Sequence, residues 1–308
     1  MGERPPVSVV VASFRGLDLL AECLRSLRPQ CDALGAELVL ARPLAGAEVG
    51  LAAVAQGCRV VAAPAGAAVP ELRGAGLAQA QGEWVALTED HCVAEPDWLE
   101  ALLAARAPGV AILGGSMGNA RRERGTDCGA FFAEYGFFGA TGAPRPGSAP
   151  LITGANAAYH RSVVPQIADW ASRGSWENVI HDRLHAAGQG FKLVPRARVR
   201  QNLTYHLAAF CRDRYEHGRA YGATRASGMP AWKRVALLAV TPVLPFVLAA
   251  RVLRTVAPEE RRYLPRGLAT MLVFLSAWTL GEAAGYARGR PMNDSTRSDR
   301  LNQPTGTA

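Results

Sequence analysis

Val7-Ser8-Val9-Val10-Val11 places four valines in five positions with no alternation of polar and apolar residues. Such a run suits a strand buried on both faces, and that burial requires helices above and below the sheet. The chain supplies one at once: Leu17, Leu20, Leu24 and Leu27 recur at helical spacing and give a helix that covers the strand. The pattern then repeats. Residues 37–40, 59–62, 84–87 and 110–113 read as further strands. Residues 70–80 read as a helix despite Gly74 and Gly76, and Pro96 at a first helical position opens another over 96–106. Strand and helix in alternation predict a parallel-rich sheet with right-handed crossovers, an α/β sandwich.

Beyond this the texture changes. Residues 139–150, dense in Gly, Pro and Ala, read as a mobile loop. A strand is expected at 151–153, helices around 162–172 and 176–187, a stop at Gly188 or Gly190, and a strand at 191–194. From Tyr205 the chain is an Arg- and aromatic-rich helix. Residues 235–250 and 267–287 are its most apolar stretches, and a polar tail closes it. The expected division is 1–227 for the α/β domain, 228–290 for an apolar helical hairpin and 291–308 for a disordered tail.

A chain of 308 residues has ample length for a sizeable core. Its net charge of +8 is uneven: residues 1–150 hold 12 basic and 16 acidic side chains, residues 151–308 hold 22 and 10. A basic half points to nucleic acid, an anionic membrane or a phosphorylated substrate. Basic residues spread over helices and broken by apolar runs, with no recognised module, argue against nucleic acid. Six cysteines without a CxxC pair or zinc spacing read as thiols of a reducing compartment. No secretory signal is visible, since the apolar run 7–14 is short and leads to Arg15.

Thr88-Glu89-Asp90-His91 follows directly on the strand at 84–87, at the carboxyl end where open α/β sheets bind ligands. Two acids and an imidazole there are expensive to bury unless something cationic accepts them. Carboxylate oxygens and a ring nitrogen suit Mg²⁺ or Mn²⁺. A solvated turn capped by Asp90 or Cys92 is the plainer alternative.

Taken in order, the segment 7–27, Arg73-Gly74, Ala80-Gln81-Gly82-Glu83-Trp84, Glu89-Asp90-His91 and Glu95-Pro96-Asp97-Trp98-Leu99 resembles a family 2 glycosyltransferase of the GT-A fold, of the membrane-associated bacterial type. The likeness continues through Thr153-Gly154-Ala155-Asn156 and covers about residues 7 to 225. It implies a nucleotide-diphospho-sugar transferase-like Rossmann-like α/β/α sandwich with C-terminal apolar helices. It further implies a metal-dependent, inverting transfer of a sugar from a nucleotide-diphosphate donor to a hydroxyl acceptor.

Carried over residue by residue, the resemblance assigns metal binding to Glu89 and His91 and the acceptor's base to Glu177. It assigns the donor diphosphate to Ser13, Arg15, Arg73, Asp90 and Arg214, and the acceptor region to Gly154, Asn156 and Trp176. Taken by themselves, Glu177 is also a favourable acid in a helical first turn, Arg73 one of many arginines, and Arg214 part of a solvated or headgroup-facing helix. The chain departs from the family pattern at Leu38-Val39-Leu40-Ala41-Arg42, which lacks an acid for the nucleotide base, and at Asn178, where a second acid is usual. These departures motivate a second reading, a GT-A-like scaffold that binds a nucleotide or partner without turnover.

The apolar C-terminus suggests a lipid-linked or cell-envelope acceptor and a place on the cytoplasmic face of the cell membrane. Residues 235–250 fall short of the roughly 20 needed to span and contain Pro242 and Pro245. If they and 267–287 both spanned, a loop of net charge +3 would lie outside, against the positive-inside tendency. An interfacial hairpin with arginines at anionic headgroups resolves this, and helices packed on soluble protein are the alternative.

Overall fold

The structure, a computed structural model, describes residues 5–44, 46, 48–139, 148–226 and 228–288. It divides into two compact units. The first comprises residues 1–120 and 138–202, the second residues 121–137 and 203–308.

Elements are numbered in chain order. The first unit contains β1 (Val7–Ala12), α1 (Leu17–Leu34), β2 (Glu37–Pro43), α2 (Leu51–Val54), β3 (Arg59–Ala63), α3 (Val69–Gln79), β4 (Trp84–Glu89), β5 (Cys92–Ala94), α4 (Trp98–Ala104), β6 (Val110–Asn119), β7 (Ala157–His160), α6 (Val164–Ser172), α7 (Glu177–Ala186) and β8 (Gly190–Gln201). They build one eight-stranded sheet in the order β3-β2-β1-β4-β7-β6-β8-β5. Strands β1 to β4 run parallel, while β7 is antiparallel to both β4 and β6. Every residue of β1 is buried, as its unbroken valine run requires. Helix α1 buries Leu20, Leu24 and Leu27 and ends at Gly35 with φ of 60°, a left-handed cap.

Chain order reverses about β1: β2 and β3 lie to one side and β4 to the other. The register pairs Ala12 with Glu89, so the segments leaving β1 and β4 emerge side by side. Open α/β sheets form their ligand crevice at such a switch point.

Several expectations shift. The helix expected at 96 begins at Trp98, because the Trp98 N–H bonds back to the Glu95 carbonyl at 3.0 Å and leaves Pro96 in a turn. No strand forms at 151–153. The Thr153 hydroxyl accepts the Ala155 N–H at 3.2 Å and its carbonyl accepts the Asn156 N–H at 3.1 Å, so a turn delays the strand to Ala157. Strands β6 and β8 run well past the expected 110–113 and 191–194, through a register shift between Gly115 and Ser116. Of the expected 139–150 loop, positions 140–147 lie outside the described residues, as does all of the 291–308 tail.

The second unit is helical: α5 (Gly125–Tyr135), α8 (Leu207–Ala226), α9 (Ala231–Val240), α10 (Leu244–Thr255), a 3₁₀ turn (Pro258–Tyr263) and α11 (Leu264–Arg288). Helix α8, expected to belong with the α/β domain up to 227, groups here with α11. The two meet backbone to backbone. A Cβ on Gly218 or Gly222 would overlap the Trp278 or Glu282 carbonyl, and one on Gly281 or Gly285 the Tyr215 or Arg219 carbonyl. Glu282 is buried in this seam, where the Tyr286 hydroxyl donates to it at 2.6 Å and Arg225 Nη1 at 3.3 Å. Glu260 is fully buried and receives Arg122 Nη2 at 2.7 Å.

Residues 258–288 are long and apolar enough to cross a membrane by length and composition. The other apolar run is broken: α9 and α10 meet at a 71° bend. Helix α9 buries none of its residues, and Trp232, Val235, Val243 and Phe246 are 58–68% exposed.

Candidate active site

The end of β4 delivers Glu89, Asp90 and His91 to the switch point, all buried. Asp90 turns toward the segment leaving β1. Its Oδ2 accepts the backbone N–H groups of Phe14 and Arg15, each at 2.6 Å, and the Ser13 hydroxyl at 2.9 Å. Three donors on one carboxylate oxygen fix the 13–15 loop. Arg42, at the end of β2, donates to Ser13 Oγ at 2.7 Å and to the Arg15 carbonyl at 2.9 Å. Its other arms form a two-pronged pair with Glu48, both contacts at 2.7 Å, and this hydrogen-bonded pairing lowers the Glu48 carboxyl below its ordinary range.

Glu89 points the other way. Its Oε1 pairs with Arg73 Nη2, and Arg73 Nη1 reaches Glu177 Oε2 at 2.7 Å. One guanidinium from α3 therefore joins the acid ending β4 to the acid opening α7. The Trp176 ring lies 5.8 Å from the same guanidinium carbon. The second oxygen of Glu177 accepts the Gly154 N–H at 3.3 Å. Gly154 has no side chain for a reason: a Cβ there would overlap the Arg73 guanidinium.

Burial alone would raise the Glu177 carboxyl, but the Arg73 charge and hydrogen bonds from Arg73 and Gly154 outweigh it and hold it below its ordinary value. Behind this cluster Tyr159 and His181 share a hydrogen bond of 3.0 Å. Burial pushes His181 down to about 4 and the Tyr159 phenol up, so both are neutral near pH 7.

The profile of glycosyl transferase family 2 matches residues 8–167, more than half of the chain. The chain belongs to that family. Among solved structures, the mannosyltransferase PcManGT from Pyrobaculum calidifontis, in complex with GDP-Man and Mn²⁺, is 16% identical over 91% of this chain and 87% of its own, with a TM-score of 0.51. Glucosyl-3-phosphoglycerate synthase from Mycobacterium tuberculosis, in complex with Mn²⁺, UDP and phosphoglyceric acid, is 16% identical over 66% of this chain and 72% of its own, with a TM-score of 0.45. No curated protein matches. The mixed sheet with its helices is the GT-A fold, with an apolar C-terminal helix.

Within this glycosyltransferase the segment 89–91 divides, Asp90 turning one way and Glu89 and His91 the other. Glu89 Oε2 and His91 Nε2 stand 3.4 Å apart. Neighbouring ligands of an octahedral ion with bonds of about 2.1 Å lie about 3 Å apart, so the two atoms fit one edge of such an ion. Among the described residues no group of three or more His, Cys, Asp or Glu could hold a metal. The fit is that of a two-ligand site, which leaves the remaining positions to water and substrate phosphate, as hard divalent cations accept.

The other residues of the reading are engaged as follows. Asp90 Oδ2 and the Ser13 hydroxyl are engaged with each other and with the loop, while the buried Oδ1 of Asp90 has no hydrogen-bond partner among the described residues. Arg15 contributes a backbone N–H to that clamp, and its guanidinium lies 5.1 Å from the Phe14 ring centre. Arg73 is committed to two carboxylates rather than standing ready for phosphate. Asn156 is fully buried: its Oδ1 accepts the Trp98 indole N–H at 2.8 Å, and its Nδ2 donates to the Ser116 and Ala197 carbonyls at 2.8 and 2.9 Å. It braces β6, β8 and α4 and offers an acceptor nothing. Arg214 belongs to the second unit, where its guanidinium lies 5.4 Å from the Phe210 ring and 5.0 Å from that of Trp278 and donates to His217 at 2.7 Å.

Arg42 and Glu48 were passed over in the sequence because nothing local pairs them. Their spacing across a loop carries no helical or strand period, and only the fold turns one onto the other.

Proposed function

We propose that this glycosyltransferase moves a sugar, with inversion, from a nucleotide-diphosphate donor to a hydroxyl acceptor, and that Glu177 is the base. The observation that carries the reading is a carboxylate held ionised at the switch point by Arg73 and the Gly154 N–H. As the acceptor oxygen attacks the anomeric carbon, its proton passes to Glu177. The bond from that carbon to the diphosphate breaks, and its electron pair leaves with the phosphate oxygen. A carboxylate of low basicity suffices because the hydroxyl becomes acidic only during the attack, which makes alignment the controlling factor.

Glu89 and His91 would hold Mg²⁺ or Mn²⁺. Such an ion, when bound, neutralises the charge that develops on the leaving diphosphate. Glu89 is placed for this by Arg73, which holds one oxygen and leaves the other beside His91. The acceptor is lipid-linked or a cell-envelope glycan, and the protein works on the cytoplasmic face of the cell membrane. The exposed apolar surface of α9 and α10 supports that part of the reading.

Glu177→Gln keeps the shape and removes the proton acceptor. Transfer from a panel of nucleotide sugars with Mn²⁺ should fall by roughly 10² to 10⁴, the usual worth of a positioned base, while nucleoside diphosphate still binds. A wild-type rate in the variant removes Glu177 from the chemistry. A wild-type protein that binds nucleotide and turns over no donor in the panel is a scaffold and no transferase.

A further inference from the structure

Arg73 enters the site as more than an isolated cation. Its two terminal nitrogens serve different acids from different segments: Nη2 goes to Glu89 at the end of β4, Nη1 to Glu177 at the start of α7. The residue is only 6% exposed, so water cannot replace either contact cheaply. Trp176, the residue before Glu177, presents its ring to the same guanidinium, and Gly154 leaves the space the guanidinium fills. Three segments thus close on one planar group. An ammonium could match its charge but could not hold two acids a set distance apart, because only the guanidinium presents donors in a rigid fork.

We propose that Arg73 is a positioning residue: it fixes the Glu177 carboxylate for proton abstraction, using Glu89 as the anchor of its other arm. This rests on the reading of Glu177 as base and gives that base its geometry. With Arg73 in place, Glu177 has one donor on each oxygen and a single orientation. Without it, burial favours the protonated form of Glu177, and the side chain loses its anchor. The coupling runs both ways, so whatever engages Glu89 also acts on the arm that holds Glu177.

The charged and titratable groups around Glu177 are Arg73 from α3 with Glu89 behind it, Tyr159 from β7, and His181 and Asp182 from its own helix. Burial lowers His181 to about 4, so it too changes charge on the acid side. The pH profile is therefore measured in the wild type and again with His181→Gln, so that the acid limb can be assigned to Glu177.

The test compares kcat/KM against pH for wild type, Arg73→Lys, Arg73→Met and Gly154→Ala, each with its melting temperature. Gly154→Ala keeps every charge and pushes the guanidinium aside. Arg73→Met should move the acid limb up by about one pH unit or more, as loss of a neighbouring opposite charge does. Gly154→Ala, which displaces the charge without removing it, should move the limb up by less, and both should lower kcat about 10- to 100-fold. Arg73→Lys, which keeps the charge without the fork, should restore part of the limb position and little of kcat. If the limb stays put in all three while rates fall in step with melting temperature, Arg73 is structural and the proposal is wrong. Should Arg73→Met fail to fold, Gly154→Ala and Arg73→Lys decide the matter by the same criteria. Full activity in Glu177→Gln overturns the base reading itself. Loss of activity there with an unmoved limb in the Arg73 variants overturns the positioning role alone.

Discussion

Asp90 illustrates how consecutive residues of one segment divide into different jobs. Glu89 and His91 face one way, while Asp90 gathers three donors from residues 13–15 and makes the β1 exit loop part of the site. Replacing it with Asn swaps one acceptor oxygen for a donor group and removes the charge from those short contacts. Asp90→Asn should destabilise the first unit by about 3 kcal/mol, read by urea denaturation, and should weaken nucleotide binding by loosening the loop. An unchanged denaturation midpoint would remove the clamp from the account. His181 offers a second check. Its folded value lies near 4, below the usual 6.5, so the unfolded chain binds the extra proton first as pH falls. Its neutral burial stabilises fully above about pH 6.5 and is lost on the way down to about 4, worth roughly 3 kcal/mol. His181→Gln should flatten the fall in stability between those pH values. The motif 89–91 was legible as a cluster because acids and imidazole at a strand end are unusual. Which member clamps and which pairs with Arg73 was not, because that depends on side-chain direction across strands 77 residues apart.

Elements were legible where burial is uniform or strictly periodic. The β1 valines and the α1 leucines need no partner to be understood. The expected strand at 110–113 stops short of Gly114, Gly115 and Gly118. They are strand residues whose missing side chains make room for Ile152, Asn156 and Arg198. The glycines of α8 and α11 are the helical counterpart. Glycine costs a helix about 1 kcal/mol against alanine, and here it allows two backbones to touch. Gly281→Leu would force those backbones apart and unseat the Glu282, Arg225 and Tyr286 contacts. We expect the helical unit to lose its cooperative melting transition, while Leu280→Ala, at a 59% exposed position one residue earlier, should leave it intact. Equal effects at both positions would mean that the close approach does not matter.

For the molecule as a whole, the exposed apolar surface of α9 and α10 is the feature with no internal explanation. It sits beside Lys233 and Arg234, with Arg251 and Arg254 further along. A bend of 71° and lengths of 10 and 12 residues suit a pair lying in an interface better than one crossing it. The full chain should sediment with phosphatidylglycerol-containing vesicles more than with phosphatidylcholine alone. Trp232→Ser with Phe246→Ser should weaken that binding at least tenfold, given about 1.5–3 kcal/mol for each large apolar side chain withdrawn. Partition unaffected by the double variant would remove α9 and α10 from membrane contact. The amino-acid order by itself determined the alternating α/β class, the family and the acid-and-imidazole cluster at the end of β4, because local period and strand burial are written into neighbouring residues. The tertiary structure alone decided that Arg73 spans two acids, that Asn156 is a brace, and that α8 belongs with α11. Those outcomes depend on distances between segments far apart in the chain, which no local pattern encodes.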